Sequence, residues 1–272
     1  MIVDAHHHLW NPATRDYPWM AGAAVDPIRR EYTVDDLRAA AGPDVTATVL
    51  VQTVSTAEET AEFLATAHAS GGLVAGVVGW TDLVAGTPDP NLDDPLLVGV
   101  RHQVENEPDP DWLLRREVMR SLDALGQRGL VYDLLVQRPS RAAALMVARQ
   151  VDMLFVLDHA GKPDIAAGEW QPWADWISDL ARSPNTVCKL SGLTTQADWA
   201  GWQPPDIRPY ADHVLDAFGT GRVLFGSDWP VCDLAGGYAG VRDLTEAVLG
   251  ELSPGERDAI LCTNARRIYG LR

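Results

Sequence analysis

The 272-residue chain is short of positive charge, of long apolar runs and of the familiar nucleotide-binding and nucleophile motifs. Its 22 Lys and Arg residues stand against 38 Asp and Glu residues, a formal net charge of −16. Because Lys and Arg neutralise phosphates, this balance argues against a nucleic-acid partner and a basic membrane-surface role. No stretch approaches the ~20 apolar residues of a transmembrane helix. Motifs of the GxSxG, GxxxxGK(S/T) and strand-linked GxGxxG types are absent, which leaves a water-activating site as the simplest account.

Cysteine is scarce as well. Cys188, Cys232 and Cys262 are an odd number without CxxC spacing, so neither a disulfide framework nor a zinc ribbon is expected. We expect buried thiols that act as small hydrophobes. The N-terminus shows no basic segment followed by an apolar run, so no secretory signal is expected and a cytoplasmic location fits. The oligomeric state, a homo-oligomer included, stays open.

Short apolar runs alternate with helix-like segments almost from end to end. Because the runs are apolar throughout rather than alternating, they are typical of parallel strands covered on both faces. The predicted strands are residues 2–5, 47–52, 73–80, 97–101, 131–135, 154–158, 186–189 and 222–226. The predicted helices begin near Thr33 and near Ser55 or Thr56, and cover 111–127, 140–150, 170–182, 207–218, 238–249 and 254–268. This order predicts one α/β domain, residues 1–272, folded as a distorted (β/α)8 TIM barrel.

Three irregular stretches rich in Pro, Trp and Gly follow predicted strands: residues 11–32, 81–95 and 194–209. They leave the carboxyl ends of the strands, which is the face where barrel enzymes keep their active sites. Residues 81–95 are predicted to form a loop in place of a regular helix, so the barrel is expected to be imperfect there.

The first candidate motif is VDAHHH, residues 3–8, at the end of the first strand. Residues two apart on a strand point to the same side, so His6 and His8 are expected to project together and His7 away. Two imidazoles on one face suit a divalent metal or an anion-binding polar cluster. The alternative is a remnant of a purification tag or incidental surface histidines, although a tag would be longer and would not lie inside an apolar strand.

The second motif is LDHAGKP, residues 157–163, at the end of the sixth strand. It places His159 at the carboxyl-end face, and the alternative is a buried core histidine. Lys162 either contacts a substrate carboxylate or caps the loop. The third motif is LFGSDWP, residues 224–230, which closes the eighth strand beside the first. Asp228 is predicted to ligate a metal or act as a general base toward water, the alternative being a capping residue.

Two cations and three tryptophans complete the candidate set. Arg101 and Lys189 end apolar strands, where a charge is costly unless it faces a polar mouth, and the alternative is a structural ion pair at the rim. An Arg there can grip a carboxylate or polarise a carbonyl. Trp10, Trp80 and Trp229 lie beside the motifs and would form the apolar wall of a sugar-sized pocket, or else serve as core aromatics.

With these motifs assembled, the chain resembles the amidohydrolase superfamily, of the amidohydrolase-2 type. Within it, the chain is similar to the branch of metal-dependent hydrolases that contains fuconolactonase- and rhamnonolactonase-like sugar lactonases and pyrone-dicarboxylate lactonases. The matching motifs stand in the family's order: residues 4–10, 99–102, 158–163, 188–192 and 226–230. The resemblance implies hydrolysis of a cyclic ester, with a sugar aldonolactone as the first choice and a small molecule as the partner.

The resemblance also bears on metal content. No Lys or Glu able to bridge two metals ends the fourth strand, where Arg101 and His102 stand, and the fifth strand lacks the usual His, so a binuclear centre is not expected. One divalent metal, zinc first, and catalysis without metal both stay open. The residues that would hold the metal are His6, His8, His159 and Asp228.

The expected mechanism has Asp228 take a proton from a water, and His159, Arg101 or a metal stabilise the oxyanion. The residues predicted to bind substrate are Arg101, His102, Lys162, Lys189, Trp10, Trp80 and Trp229. Two alternatives stand beside the lactonase: a metal-dependent decarboxylase of the same superfamily, and an inactive ligand-binding barrel.

Overall fold

A computed structural model describes residues 1–86 and 89–272, and within these residues eight parallel strands form one sheet in the order of the chain. The strands are β1 (Ile2–His7), β2 (Val45–Val51), β3 (Val74–Gly79), β4 (Leu97–Gln103), β5 (Val131–Leu135), β6 (Phe155–Leu157), β7 (Thr186–Leu190) and β8 (Val223–Phe225). A bridge between His7 and Trp229 joins the end of β1 to the segment after β8 and closes the sheet into a barrel. The predicted TIM barrel is therefore confirmed, and every predicted strand overlaps an observed one.

Helices run between most strands. They are α1 (Val34–Ala41), α2 (Ala57–Ala69), α3 (Arg116–Gln127), α4 (Arg141–Gln150), α5 (Trp173–Ala181), α6 (Pro204–Phe218), α7 (Gly237–Leu249), α8 (Pro254–Asp258) and α9 (Asn264–Tyr269). The hydroxyls of Thr33 and Thr56 cap α1 and α2, as the sequence predicts. In the described residues, no helix combines the length and apolarity needed to cross a membrane.

Some helix bounds differ from the prediction. The irregular stretch expected up to Pro209 ends at Gln203, because Pro204 and Pro205 suit the first helical turn and the Asp206 carboxylate accepts the Gln203 N–H at 2.8 Å. The helix expected from residue 111 begins at Arg116, after a short 3-10 turn. The last predicted helix is divided into α8, a π-helical turn and α9.

The connection between β3 and β4 carries a 3-10 turn, Pro90–Asp93, and no α-helix in its described residues. The loop predicted for residues 81–95 is thus confirmed for 81–86 and 89–95, whereas residues 87 and 88 lie outside the described part of the chain. The three cysteines are buried thiols, as expected.

The C-terminal helix α9 packs against β1 and β8. Its Tyr269 joins an apolar cluster with strand residues that include Val131 and Val187. Because residues two apart on a strand share a face, Asp133 and Lys189 lie on the same side as this cluster, one step nearer the carboxyl ends. The strands therefore present first an apolar layer and then a charged layer below the active-site face.

Candidate active site

Three imidazoles and one carboxylate meet at the carboxyl ends of β1, β6 and β8. The Nε2 atoms of His6 and His8 lie 3.2 Å apart. Asp228 Oδ1 lies 3.8 Å from Nε2 of His6, 3.5 Å from Nε2 of His8 and 3.9 Å from Nε2 of His159. The structure thus brings together the four residues that the three sequence motifs single out.

Unusual backbone conformations aim two of these side chains. His159 and Asp228 have left-handed φ values of 53° and 57°, and Ala160 and Lys162 beside His159 have values of 50° and 49°. Asp228 is held by its own N–H, which donates to the carbonyl of His6 at 2.8 Å. A Cβ added at Gly192 would lie 2.6 Å from Nδ1 of His159, so glycine is needed there for close approach.

The second ring nitrogen of each imidazole has a partner. His8 Nδ1 lies 2.7 Å from the carbonyl of Val51, which only accepts, so Nδ1 carries a proton and Nε2 is the nitrogen that faces Asp228. His159 Nδ1 lies 2.9 Å from the Ser191 hydroxyl, and His6 Nδ1 lies 3.2 Å from Asp158 Oδ1. Such outer partners fix the ring orientation and tautomer of histidines that bind metals.

The donor set fits a divalent metal. Burial lowers the pKa of His6 and His159, so both rings are neutral and have a lone pair to offer. Burial alone would raise the pKa of Asp228, but His159 and His8 outweigh it and lower that pKa, which keeps the carboxylate ionised. Ligand atoms of His6, His159 and Asp228 lie within 4.8 Å of one another. The imidazole lone pairs and the negative carboxylate repel one another unless a proton or a cation lies between them. These residues can therefore bind a metal ion.

A buried charged layer supports His6 from below. Arg101 Nη1 lies 2.9 Å from Asp158 Oδ2 and 3.3 Å from His6 Nε2, and its Nη2 donates to the backbone carbonyl and side-chain oxygen of Gln52. Its Nε has no hydrogen-bond partner among the described residues. Lys189 is fully buried and pairs with Asp133 and Asp158. Although burial would raise the pKa of Asp158, Lys189, His6 and Arg101 hold it well below its ordinary value.

A cavity of about 220 Å³ opens above His8, His159 and Asp228, and His6 lies buried beneath them. It is lined by His8, Trp19, Val25, Thr53, Arg101, Gln103, Glu105, Leu135, His159, Lys162, Thr195, Gln196, Trp199, Asp228, Val231 and Leu234. Lys162 and Glu105 form an ion pair of 2.5 Å at the wall, and both are partly exposed, at 18% and 15%. The cavity offers a polar wall with hydrogen-bonding groups of both kinds and two tryptophan rings.

Some predicted substrate contacts lie elsewhere. Lys189 has no exposed side-chain surface. The ring of His102 stacks on Trp112 at 4.2 Å, its Nδ1 accepts from Trp80 Nε1 at 3.0 Å, and its Nε2 lies 2.8 Å from Glu107. His102 points away because β4 alternates, so that Arg101 and Gln103 face the cavity instead. Trp80, which follows β3, is hydrogen-bonded to His102 and does not line the cavity.

The predicted tryptophan wall also differs from the observed one. Trp10 and Trp229 are buried, and both pack edge-on against Tyr32, so they support the site from behind. Trp19 and Trp199, which lie in the two long irregular stretches, line the cavity. Loop tryptophans take positions that depend on the path of the loop, which strand periodicity does not reveal.

Several supporting residues had no predicted role. They are Asp4, Gln52, Glu105, Asp133, Asp158 and Ser191. Asp133 and Asp158 had a visible signal, since a carboxylate within an apolar strand run is costly unless it is paired. Ser191 lay within the matching motif of residues 188–192, although no role followed from that, and Glu105 had no signal, because an ordinary polar residue after a strand carries no pattern of its own.

Comparison with known proteins places these features in a family. The amidohydrolase family pattern matches residues 3–271. The L-fucono-1,5-lactonase of Burkholderia ambifaria is 38% identical over 87% of this chain and 82% of its own, and that of Burkholderia multivorans is 37% identical over 99% and 96%. Crystal structures of an amidohydrolase from Burkholderia multivorans, at 35% identity and full coverage of both chains, give TM-scores of 0.94 with bound HEPES and 0.90 with bound zinc.

Proposed function

The chain belongs to the amidohydrolase family, and we propose that it hydrolyses a sugar aldonolactone, opening the cyclic ester to a hydroxy acid. The main support for the proposal is that His6, His8 and His159 converge on the Asp228 carboxylate beneath a cavity lined by both polar and apolar side chains. The two similar L-fucono-1,5-lactonases support the substrate class.

We further infer that one divalent metal, zinc by preference, binds to His6, His8, His159 and Asp228. The neutral imidazoles, their fixed outer nitrogens and the ionised carboxylate support this choice. The zinc in the Burkholderia multivorans structure belongs to that protein and makes zinc the first ion to try. When bound, such an ion polarises a water and the ester carbonyl.

The side chains of this chain perform the proton transfers. Asp228 is ionised and lines the cavity, so its Oδ1 takes a proton from a water that attacks the lactone carbonyl. Arg101 also lines the cavity, so its guanidinium is the cation near which the oxyanion develops. When the ring C–O bond breaks, Asp228 returns the proton to the leaving alkoxide, which yields a hydroxyl and a carboxylic acid, and the acid then releases its proton to solvent.

The cavity wall suits a polyhydroxylated ring. Glu105 and Gln196 offer acceptors, and Lys162 and Gln103 offer donors, at positions that line the cavity above Asp228. Sugar hydroxyls both donate and accept, so they match this mixture, and the faces of Trp19 and Trp199 can cover the apolar side of a ring.

The test is a pH-indicator assay of the purified protein against a panel of aldono-1,4- and aldono-1,5-lactones, with Asp228→Asn alongside. We expect acid release by the wild type and a loss of about 10²–10⁴-fold in kcat in the variant, because a positioned base contributes that much. Absence of acid release from every lactone would reject the proposal, and release of CO₂ from an aromatic or β-keto acid would favour a decarboxylase.

A further inference from the structure

Lys189 lies among three buried polar side chains below the active-site histidines. Its Nζ lies 2.5 Å from Asp133 Oδ2, 3.0 Å from Asp158 Oδ1 and 3.2 Å from His6 Nδ1. An ammonium has three N–H donors, and here it has three polar neighbours. Its side chain has no exposed surface, so its charge acts entirely within the barrel.

The same three side chains have the arrangement of a metal site. Ligand atoms of His6, Asp133 and Asp158 lie within 4.8 Å of one another, as in the set formed by His6, His159 and Asp228. The two sets use opposite nitrogens of His6, since Nδ1 faces Asp158 and Nε2 faces Asp228. Two cation positions therefore lie on either side of one imidazole ring.

The negative charges of Asp133 and Asp158 are balanced only when Lys189 is present. Asp133 and Asp158 are both fully buried, and the cations within reach are Lys189 and Arg101. The Tyr269 hydroxyl lies 2.9 Å from Asp133 Oδ1 and supplies one more hydrogen bond. Buried carboxylates without a cation are strongly unfavourable, so the position needs a positive charge of some kind.

We propose that the Lys189 ammonium is a built-in cation that occupies a second, latent metal position formed by His6 Nδ1, Asp133 and Asp158. Lys189 is thus a positioning residue, because it holds Asp158 where that carboxylate orients His6, and it keeps a second metal ion out of the barrel. The inference deepens the proposed metal site but does not depend on a lactone as the substrate.

The proposal distinguishes two substitutions that both remove the charge. Lys189→Ala leaves space for an ion, and Asp133, Asp158 and Nδ1 of His6 then bind it, with the proton of Nδ1 released to solvent if His6 bridges two ions. Lys189→Met removes the charge but fills the space with an apolar side chain. In the double variant Asp133→Asn/Lys189→Ala, the space remains but one anionic ligand is lost.

The experiment is metal content by mass spectrometry after chelation, reloading with Zn²⁺ and desalting, together with thermal denaturation with and without Zn²⁺. We expect Lys189→Ala to retain one more equivalent of zinc than the wild type and to gain more stability from zinc. Lys189→Met and Asp133→Asn/Lys189→Ala should retain as many equivalents of zinc as the wild type. Because these variants have the same acidic surface, they also control for zinc that binds there.

A folded Lys189→Ala protein with the wild-type zinc content and the wild-type response to zinc would overturn the proposal. So would a Lys189→Ala protein that fails to fold even with zinc while Lys189→Met folds, since the acceptors would then refuse a metal in place of the ammonium. The readout is a difference in bound zinc, so a failed lactone assay leaves it unaffected.

Discussion

The carboxylate of Asp4 accepts the backbone N–H of Ser227 at 2.8 Å, which ties β1 to the segment that carries Asp228. The same oxygen accepts the N–H of His6 at 3.1 Å, and the other oxygen accepts the hydroxyl of Tyr238 in α7 at 3.0 Å. Asp4 is fully buried and touches neither the cavity nor the other site carboxylates. Asp4 therefore holds the end of β1, which carries His6, against the segment after β8, which carries Asp228.

Asp4→Ala should lower the free energy of unfolding by about 3 kcal/mol, because it leaves buried N–H groups without an acceptor. Asp4→Asn retains an oxygen in the same place and should lose clearly less. Urea denaturation of the wild type and both variants measures the difference. If both variants lost the same free energy of unfolding, the charge of Asp4, and not its hydrogen-bond acceptors, would stabilise the contact between β1 and the segment after β8.

The pH dependence of activity should follow the imidazoles. Burial lowers the pKa of His159 from 6.5 and holds that of His6 well below 6.5. A lowered pKa moves protonation to more acidic solution, so the acid limb of kcat/KM should have its midpoint below pH 6.5. Rates are corrected for spontaneous lactone hydrolysis, and a midpoint at or above pH 6.5 would contradict the expectation.

Gly192→Ala should reduce activity far more than stability. Its Cβ would lie 2.6 Å from His159 Nδ1, and a displacement of about 1 Å at a catalytic group can cost 10²-fold in rate. Gly219→Ala is the matched control, since Gly219 also has a positive φ, of 70°, but its Cβ would meet no described atom within 4 Å. Both variants should lose about 1 kcal/mol of stability from backbone strain. Only Gly192→Ala should lower kcat. If Gly219→Ala lowered kcat by the same factor, the contact between the added Cβ and His159 would not be the cause.

Glu105→Gln and Lys162→Met should raise KM for the lactone by roughly tenfold and change kcat little. Both residues lie on the wall, away from the reacting bond, so they bind substrate and transition state alike. Each lost hydrogen bond to a charged group is worth about 1.5 kcal/mol, which corresponds to that factor. Glu251→Gln, which breaks a surface pair with Arg208, is the control and should change neither constant. If kcat and kcat/KM instead fell by the same factor, Glu105 and Lys162 would act in the chemical step rather than in substrate binding.

Strand order and strand ends were the predictable part of this molecule. Apolar runs with helical patterns between them indicate a barrel, and a closed barrel brings the end of β8 beside β1, so Asp228 could be placed near His6 from the sequence. The same rule of alternation gives the inward position of Arg101.

The surroundings of individual side chains were harder to predict, because they depend on strand register and loop path, which leave no periodic pattern in the sequence. A register shift between Asp4 and His7 in β1 breaks simple alternation, which hides the role of Asp4. Lys189 was predicted to touch substrate, but it is buried and pairs with Asp133 on β5 and Asp158 after β6, and the positions of both carboxylates had to be known in three dimensions first. Loop tryptophans differ from expectation for the same reason.

The left-handed turn of His159, Ala160 and Lys162 has a consequence for how the protein fails. Each such non-glycine residue costs about 1 kcal/mol, and packing around the turn must supply that energy. A mild loosening of the barrel removes this support before the strands separate, so the turn relaxes first. Activity should therefore disappear at a lower urea concentration than the far-ultraviolet signal of the helices. The protein should therefore lose its activity while its helices are still intact.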